Sequence, residues 1–113
     1  MLTYTEAKEL LNTARNKANG KPIANNTRLF DRGEYIAVRL HSTDVLNIYP
    51  NGKYKVYTGG YYSTTTKERI NRFSPVRVYQ QSWAWYTWQP ALPDEPSELF
   101  IDGAFYNSDG VKL

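Results

Sequence analysis

Asn51-Gly52 stands between two runs of alternating residues, 45–49 and 53–58. This dipeptide takes up positive φ readily and closes two antiparallel strands tightly. On the second run Tyr54 and Val56 alternate with Lys53, Lys55 and Tyr57, so one side enters a core and the other carries cations and a ring. Such a chain must hold an antiparallel sheet. The same period appears upstream, where residues 27–30 and 34–41 flank Asp31-Arg32-Gly33. Ile36, Val38 and Leu40 face one way there, and Tyr35, Ala37, Arg39 and His41 the other, the pattern of a half-buried strand.

Before the sheet, Ala7, Leu10, Leu11, Ala14 and Ala18 recur at helical spacing, which predicts a helix over 3–18 with one packed face. Thr3 and Glu6 have capping-box spacing, and Asn19-Gly20 followed by Pro22 supplies a stop. Residues 21–26 read as a loop. After Gly59-Gly60 a short helix is expected over 65–73, with Thr65 and Glu68 spaced as a second capping box and Ser74-Pro75 ending it. Strands follow over 76–80 and 83–88, joined by Gln81-Ser82. On the latter, Trp83 and Trp85 share one face while Ala84, Tyr86 and Trp88 share the other, which leaves the rings as core or as a face for a ligand. A proline-rich connector covers 89–96, and Asp102-Gly103 between 99–101 and 104–106 reads as a small terminal hairpin.

The fold expected is α+β: an N-terminal helix packed on a mainly antiparallel sheet of about five to seven strands that can curl, with a second short helix. A chain of 113 residues is of single-domain size. The expected division is one α+β domain over 1–90 and an acidic, proline-containing extension over 91–113. Residues 1–90 hold 13 Lys and Arg against 6 Asp and Glu, and residues 91–113 hold 1 against 5. A basic body with an acidic tail is suited to an anionic partner, although mixed charge also serves solubility alone.

With no cysteine, disulfide scaffolds, thiol nucleophiles, iron–sulfur clusters and thiolate zinc sites are excluded. No stretch has the length and apolarity of a membrane span, and the start Met1-Leu2-Thr3-Tyr4 lacks the pattern of an export signal. One histidine and scattered carboxylates offer no paired metal ligands, and Gly59-Gly60 lacks the remainder of a phosphate loop. Neither metal nor cofactor is expected. His41 lies close in sequence to Asp44, as a general base would, but no nucleophile elbow accompanies it. The expectation is a non-enzymatic protein.

Two groups carry binding chemistry. Residues 58–69 join a diglycine, tyrosines, hydroxyls and a helix start to two cations, a setting that favours phosphate; capping alone also accounts for the threonines. Arg39, Lys53, Lys55, Tyr57 and Arg77, with the tryptophans of 83–88, interleave cations and rings as single-strand binders do. The candidate ligand-binding residues are Arg39, His41, Lys55, Tyr57, Gly59, Gly60, Tyr61, Thr66, Lys67 and Arg69. The expected partner is an anionic ligand, nucleotide or nucleic acid. The alternatives are a host enzyme inhibited through exposed Tyr and Trp with the acidic tail, and a minor virion or assembly role. An uncovered strand edge would favour a homodimer.

Asn25-Asn26-Thr27, residues 36–45, Tyr49-Pro50-Asn51-Gly52, Thr58-Gly59-Gly60-Tyr61, residues 65–71 and the aromatic strands of 76–86 together resemble a family of small tailed-bacteriophage proteins. The resemblance covers a little over half the chain. It implies a phage or prophage origin, action in the cytoplasm of an infected bacterium, and an accessory role. Counter-defence, anti-CRISPR-like or signal-sequestering, is one such role. It brings no activity with it. Tyr62 departs from the variable polar or basic residue expected there, and the first helix and the acidic tail lie outside the match.

Overall fold

The computed structural model describes residues 1–89 and 92–113. Helix α1 spans Tyr4–Asn12. Thr3 and Glu6 cap it reciprocally: the Glu6 amide donates to Thr3 Oγ1 at 3.2 Å and the Thr3 amide to Glu6 Oε1 at 2.9 Å. The helix is half the expected length. Thr13 Oγ1 donates to the Leu10 carbonyl at 2.7 Å, and the Asn16 side chain accepts the Ala18 amide to start a single 3-10 turn at Lys17–Asn19. Such short polar side chains compete with the helix for its own backbone groups, so the helix buries Ala7 and Leu11 and packs Tyr4 partly against the core.

Six strands form the main sheet: β1 (Lys21–Ala24), β2 (Thr27–Asp31), β3 (Ile36–Leu40), β4 (Thr43–Ile48), β5 (Tyr54–Val56) and β9 (Phe105–Tyr106). Every pairing is antiparallel and the order is β1-β2-β3-β4-β5-β9. The segment expected as a loop over 21–26 is therefore an edge strand and its turn, with Pro22 tolerated because the strand is at the edge. Leu29, Val38, Leu46 and Val56 lie side by side across β2 to β5, as do Ile36, Ile48, Tyr54 and Tyr106 across β3, β4, β5 and β9. All eight are buried. Ala37, expected on the polar face, is also buried, flanked across the strands by Phe30 and Asn47.

Between β4 and β5, Gly52 takes φ 86° while Asn51 does not go left-handed. The Gly52 amide donates to the Tyr49 carbonyl at 3.1 Å and the Tyr49 amide to the Lys53 carbonyl at 2.9 Å. The hairpin expected there exists, with a three-residue loop ending in a left-handed glycine. Between β3 and β4 the link is His41-Ser42, with His41 at φ 54°. The register slips where Arg39 pairs with Asp44 and Val38 with Leu46, leaving Val45 as a bulge.

Helix α2 spans Thr64–Phe73 and is capped by Ser63, whose Oγ accepts the Thr66 amide at 3.1 Å. Thr65 and Glu68 do not form the second capping box; Glu68 pairs with Arg69 and Arg72 instead. A smaller sheet follows, order β6-β7-β8, from β6 (Arg77–Gln81), β7 (Ala84–Trp88) and β8 (Glu98–Leu99). The turn of its first hairpin is Ser82-Trp83, one residue later than expected, since Gln81 pairs with Ala84. Val78 and Trp85 point inward and join α1, α2 and the main sheet in one core. The Asn71 side chain holds the β6 edge, accepting the Val78 amide at 2.6 Å and donating to the Val78 carbonyl at 2.9 Å.

The terminal hairpin expected around Asp102-Gly103 does not form. Glu98–Leu99 pairs with β7 and Phe105–Tyr106 with β5, so the two halves belong to different sheets. Asp102 is the reason: its carboxylate accepts the Thr58 amide at 2.6 Å and the Thr58 hydroxyl at 2.8 Å. The Gly103 amide then donates to the Val56 carbonyl at 2.8 Å. The expected division at 90/91 falls on residues outside the described ones. Among the described residues, no helix is long and apolar enough to cross a membrane.

Candidate functional site

Side chains paired across a sheet share a face, which places Arg28, Phe30, Arg39, Asp44 and Lys55 on the outer face of the main sheet, away from the core. Arg28 sits directly opposite Arg39, an arrangement of like charges that weakens a sheet. Asp44, the next neighbour of Arg39, does not relieve it. Both Asp44 oxygens are held by Arg32, at 3.1 Å from Nε and 2.9 Å from Nη2, and this pairing raises the Arg32 pKa above its ordinary range. Arg28 donates to the Asn19 carbonyl at 3.1 Å. Among the described residues the Arg39 guanidinium has no hydrogen-bond partner, and its Nε is buried. The group lies over the Phe30 ring, 5.4 Å from the centroid. Of these three guanidinium groups only that of Arg32 is paired with a carboxylate.

Arg39 lies between two hollows. One is lined by Arg28, Phe30 and His41, the other by Arg32, Asp44, Tyr57 and Gly59. Lys55 continues the track, with Nζ 5.9 Å from the Tyr57 ring centroid and 6.0 Å from that of Phe105. Gly59 has to be glycine here: its φ is 63°, and a Cβ would meet Thr43 Cγ2 at 2.9 Å.

Beside the β3–β4 turn, and sharing its residues with the two hollows, is a cleft of about 640 Å³ lined by His41, Ser42, Thr43, Tyr61, Tyr62 and Thr66, among others. Here the bulge at Val45, the diglycine bend and the first turn of α2 converge. Thr58 holds the bend, accepting the Gly60 amide on Oγ1 at 3.1 Å. Tyr61 and Tyr62 stand out of it, 65% and 54% exposed. Thr66 is buried and its hydroxyl lies 2.9 Å from Ser63 Oγ.

Arg39, His41, Lys55, Tyr57 and Gly59 therefore share the outer face and its rim, and His41, Tyr61 and Thr66 line the adjoining cleft. Gly60 is exposed beside it. Lys67 and Arg69 lie elsewhere. Lys67 Nζ sits over the Trp85 ring at 5.6 Å. Arg69 ties α2 to the β1–β2 turn, donating to Thr27 Oγ1 at 2.8 Å and to the Asn25 carbonyl at 3.1 Å. Arg77 is likewise occupied by the Asn71 and Val76 carbonyls. Asp44 is held by Arg32, so no dyad with His41 is formed.

Phe30 and Arg28 are members of the surface that the sequence did not single out, whereas Tyr62 belongs to the 58–69 group read from it. The register of β2 against β3 is what brings Arg28 and Phe30 beside Arg39, and the alternation Arg28-Leu29-Phe30 was the signal for it. A model described as Kyanoviridae Gp96 protein matches residues 5–110. No curated protein and no solved structure matches the chain.

Proposed function

The chain belongs to the Kyanoviridae Gp96 family, a family of cyanophage proteins, and from that premise we propose that it is a non-enzymatic accessory protein that binds an anionic ligand, a nucleotide or nucleic acid, in the host cytoplasm. The observation that supports this reading is the row Arg28, Arg39 and Asp44 across three strands, in which the one carboxylate is taken by Arg32 and the Arg39 guanidinium is left without a partner among the described residues. Unbalanced positive charge on a sheet face is a standing cost that a phosphate relieves. Phe30 and Tyr57 beside these cations add faces on which bases stack. Binding of this kind shields a strand or sequesters a signal, the chemistry that a counter-defence role requires.

Binding of a fluorescein-labelled oligonucleotide, followed by anisotropy across a salt series, tests the reading. Three phosphate contacts, to Arg28, Arg39 and Lys55, give a log–log salt slope of about −2 for a single strand. Arg39→Ala weakens binding about tenfold and flattens the slope by about 0.7. Arg69→Ala is not a test of this site, because Arg69 is committed to Thr27 and Asn25. Salt-independent binding, or no binding of oligonucleotide or nucleotide, refutes the proposal.

A second reading, docking of a host protein, draws on the outer face of the small sheet. Tyr79 and Tyr86 stack there with centroids 5.7 Å apart, beside the exposed Trp88 and Leu99. The acidic tail offers less to it than its composition implied. Asp102 is bonded to Thr58 and Glu98 pairs with Lys112 at 3.0 Å.

A further inference from the structure

Trp83 is 94% exposed and occupies a backbone conformation that a tryptophan adopts only at a cost. Ser82 has φ 51° and Trp83 φ 71°, the paired left-handed geometry that Asn-Gly satisfies without strain and a bulky residue does not. An indole held out in water by a strained turn is more than filling, because burying it would be the lower-energy use of the ring. Behind it lies a hollow of about 370 Å³ lined by Tyr62, Gln80, Trp83, Trp85, Leu99 and Phe100. Trp85 and Phe100 form its floor, packed edge to face at 5.7 Å, and Tyr62 meets Trp85 at 5.0 Å.

The hollow adjoins the surface already described. Tyr62 lines both it and the hydroxyl cleft, and the cleft shares Ser42 and Thr43 with the Arg39 hollow. Three adjoining hollows therefore follow one another, the first lined by guanidinium groups, the second by hydroxyls and the third by rings. Lys67 keeps positive charge at the ring end, over Trp85, which disfavours an organic cation there. Among the described residues the Gln80 amide has no hydrogen-bond partner and is exposed, so it offers a donor and an acceptor to a base edge.

We propose that this hollow seats one unpaired base of a nucleic-acid strand, stacked against Trp83 and Tyr62, while the strand's phosphates cross the adjoining hollows toward Arg39. The inference rests on the anionic-ligand reading and narrows it from any nucleotide or nucleic acid to a single strand, since duplex bases are not free to enter.

Two labelled probes separate the inference from the reading beneath it: a single-stranded DNA of about ten nucleotides and inorganic polyphosphate. Trp83→Ala weakens the oligonucleotide about tenfold, within the range for loss of one stacked base, leaves the salt slope unchanged and does not alter polyphosphate binding. Trp83→Tyr restores most of the loss. Arg39→Ala weakens both probes. Ser82→Asn with Trp83→Gly, which removes the ring and relaxes the turn, raises the thermal midpoint and still loses oligonucleotide affinity, so the effect is not one of misfolding. Equal oligonucleotide affinity with and without the Trp83 ring overturns the inference while the anionic-ligand reading stands, provided Arg39→Ala still weakens binding. Failure of both probes to bind overturns both, as does a host protein whose capture depends on Trp83 when no oligonucleotide binds.

Discussion

The two sheets of this protein solve the same problem, what to do with a second face, in opposite ways. The main sheet buries four strands' worth of aliphatic side chains on one side and sets arginines and a lysine on the other. The small sheet buries only Val78, Trp85 and Thr87 inward and turns Tyr79, Tyr86 and Trp88 outward. The first supplies most of the shared core, and the second is held in place by its neighbours: α2 through Asn71, and the returning C-terminal segment through β8. A sheet that spends its rings on the outside depends on polar attachments that a sheet with a full inner face does not need.

Substitutions ordered by expected effect can break this contrast or sharpen it. Tyr106→Ala removes a fully buried ring from the main-sheet row of Ile36, Ile48 and Tyr54 and is expected to cost about 3–5 kcal/mol in denaturant unfolding, with both sheets lost together. Asn71→Ala leaves the Val78 amide and carbonyl without their side-chain partner and costs about 1–3 kcal/mol. Hydrogen exchange should show its protection lost in β6 and β7 first and kept in β3 and β4. An equal loss in both sheets would mean that they form one cooperative unit.

Alkaline titration touches the cores themselves. Burial raises the pKa of Tyr54 and Tyr106 above the ordinary tyrosine range, and Tyr49 is raised by burial and then by Tyr35. An unfolded tyrosine releases its proton near its ordinary pKa of about 10 while the folded one keeps it. The stabilisation is therefore complete below pH 10 and declines as pH rises beyond it. Urea midpoints measured across that range should fall, and less so in Tyr54→Phe. A smaller effect of opposite sign is expected in the small sheet, where Ser82→Asn with Trp83→Gly relaxes the turn and gains about 1 kcal/mol. Lys8→Ala, which removes an exposed pair with Asp31, should cost under about 1 kcal/mol.

The main sheet was the more legible of the two in sequence, because strict alternation on residues 36–40 and 54–57 and the Asn51-Gly52 turn all act between neighbours in the chain. What was missed depends on distant partners. Residues 21–24 carry a proline and no alternation, and become a strand only because β2 offers a free edge. The expected helix stopped at Asn12 because Thr13 and Asn16 compete for the backbone, a local effect that apolar spacing alone outweighs on paper. Trp83 is expected in a strand from the aromatic alternation of 83–88; the actual turn, Ser82-Trp83, follows the β6–β7 register. Of the candidate residues, Arg39, Lys55 and Tyr57 were readable from strand parity, whereas the diversion of Lys67 to Trp85 and of Arg69 to Thr27 rests on contacts 18 and 42 residues away in the chain.

The pairing of Tyr54 with Tyr106 also sets an order of events during synthesis. Until residue 106 has left the ribosome, β5 is an open edge on an otherwise assembled sheet, able to template pairing with another nascent chain. The three-residue length of β5 keeps that window small. Released chains truncated before residue 100 should accordingly self-associate more readily than the full-length chain.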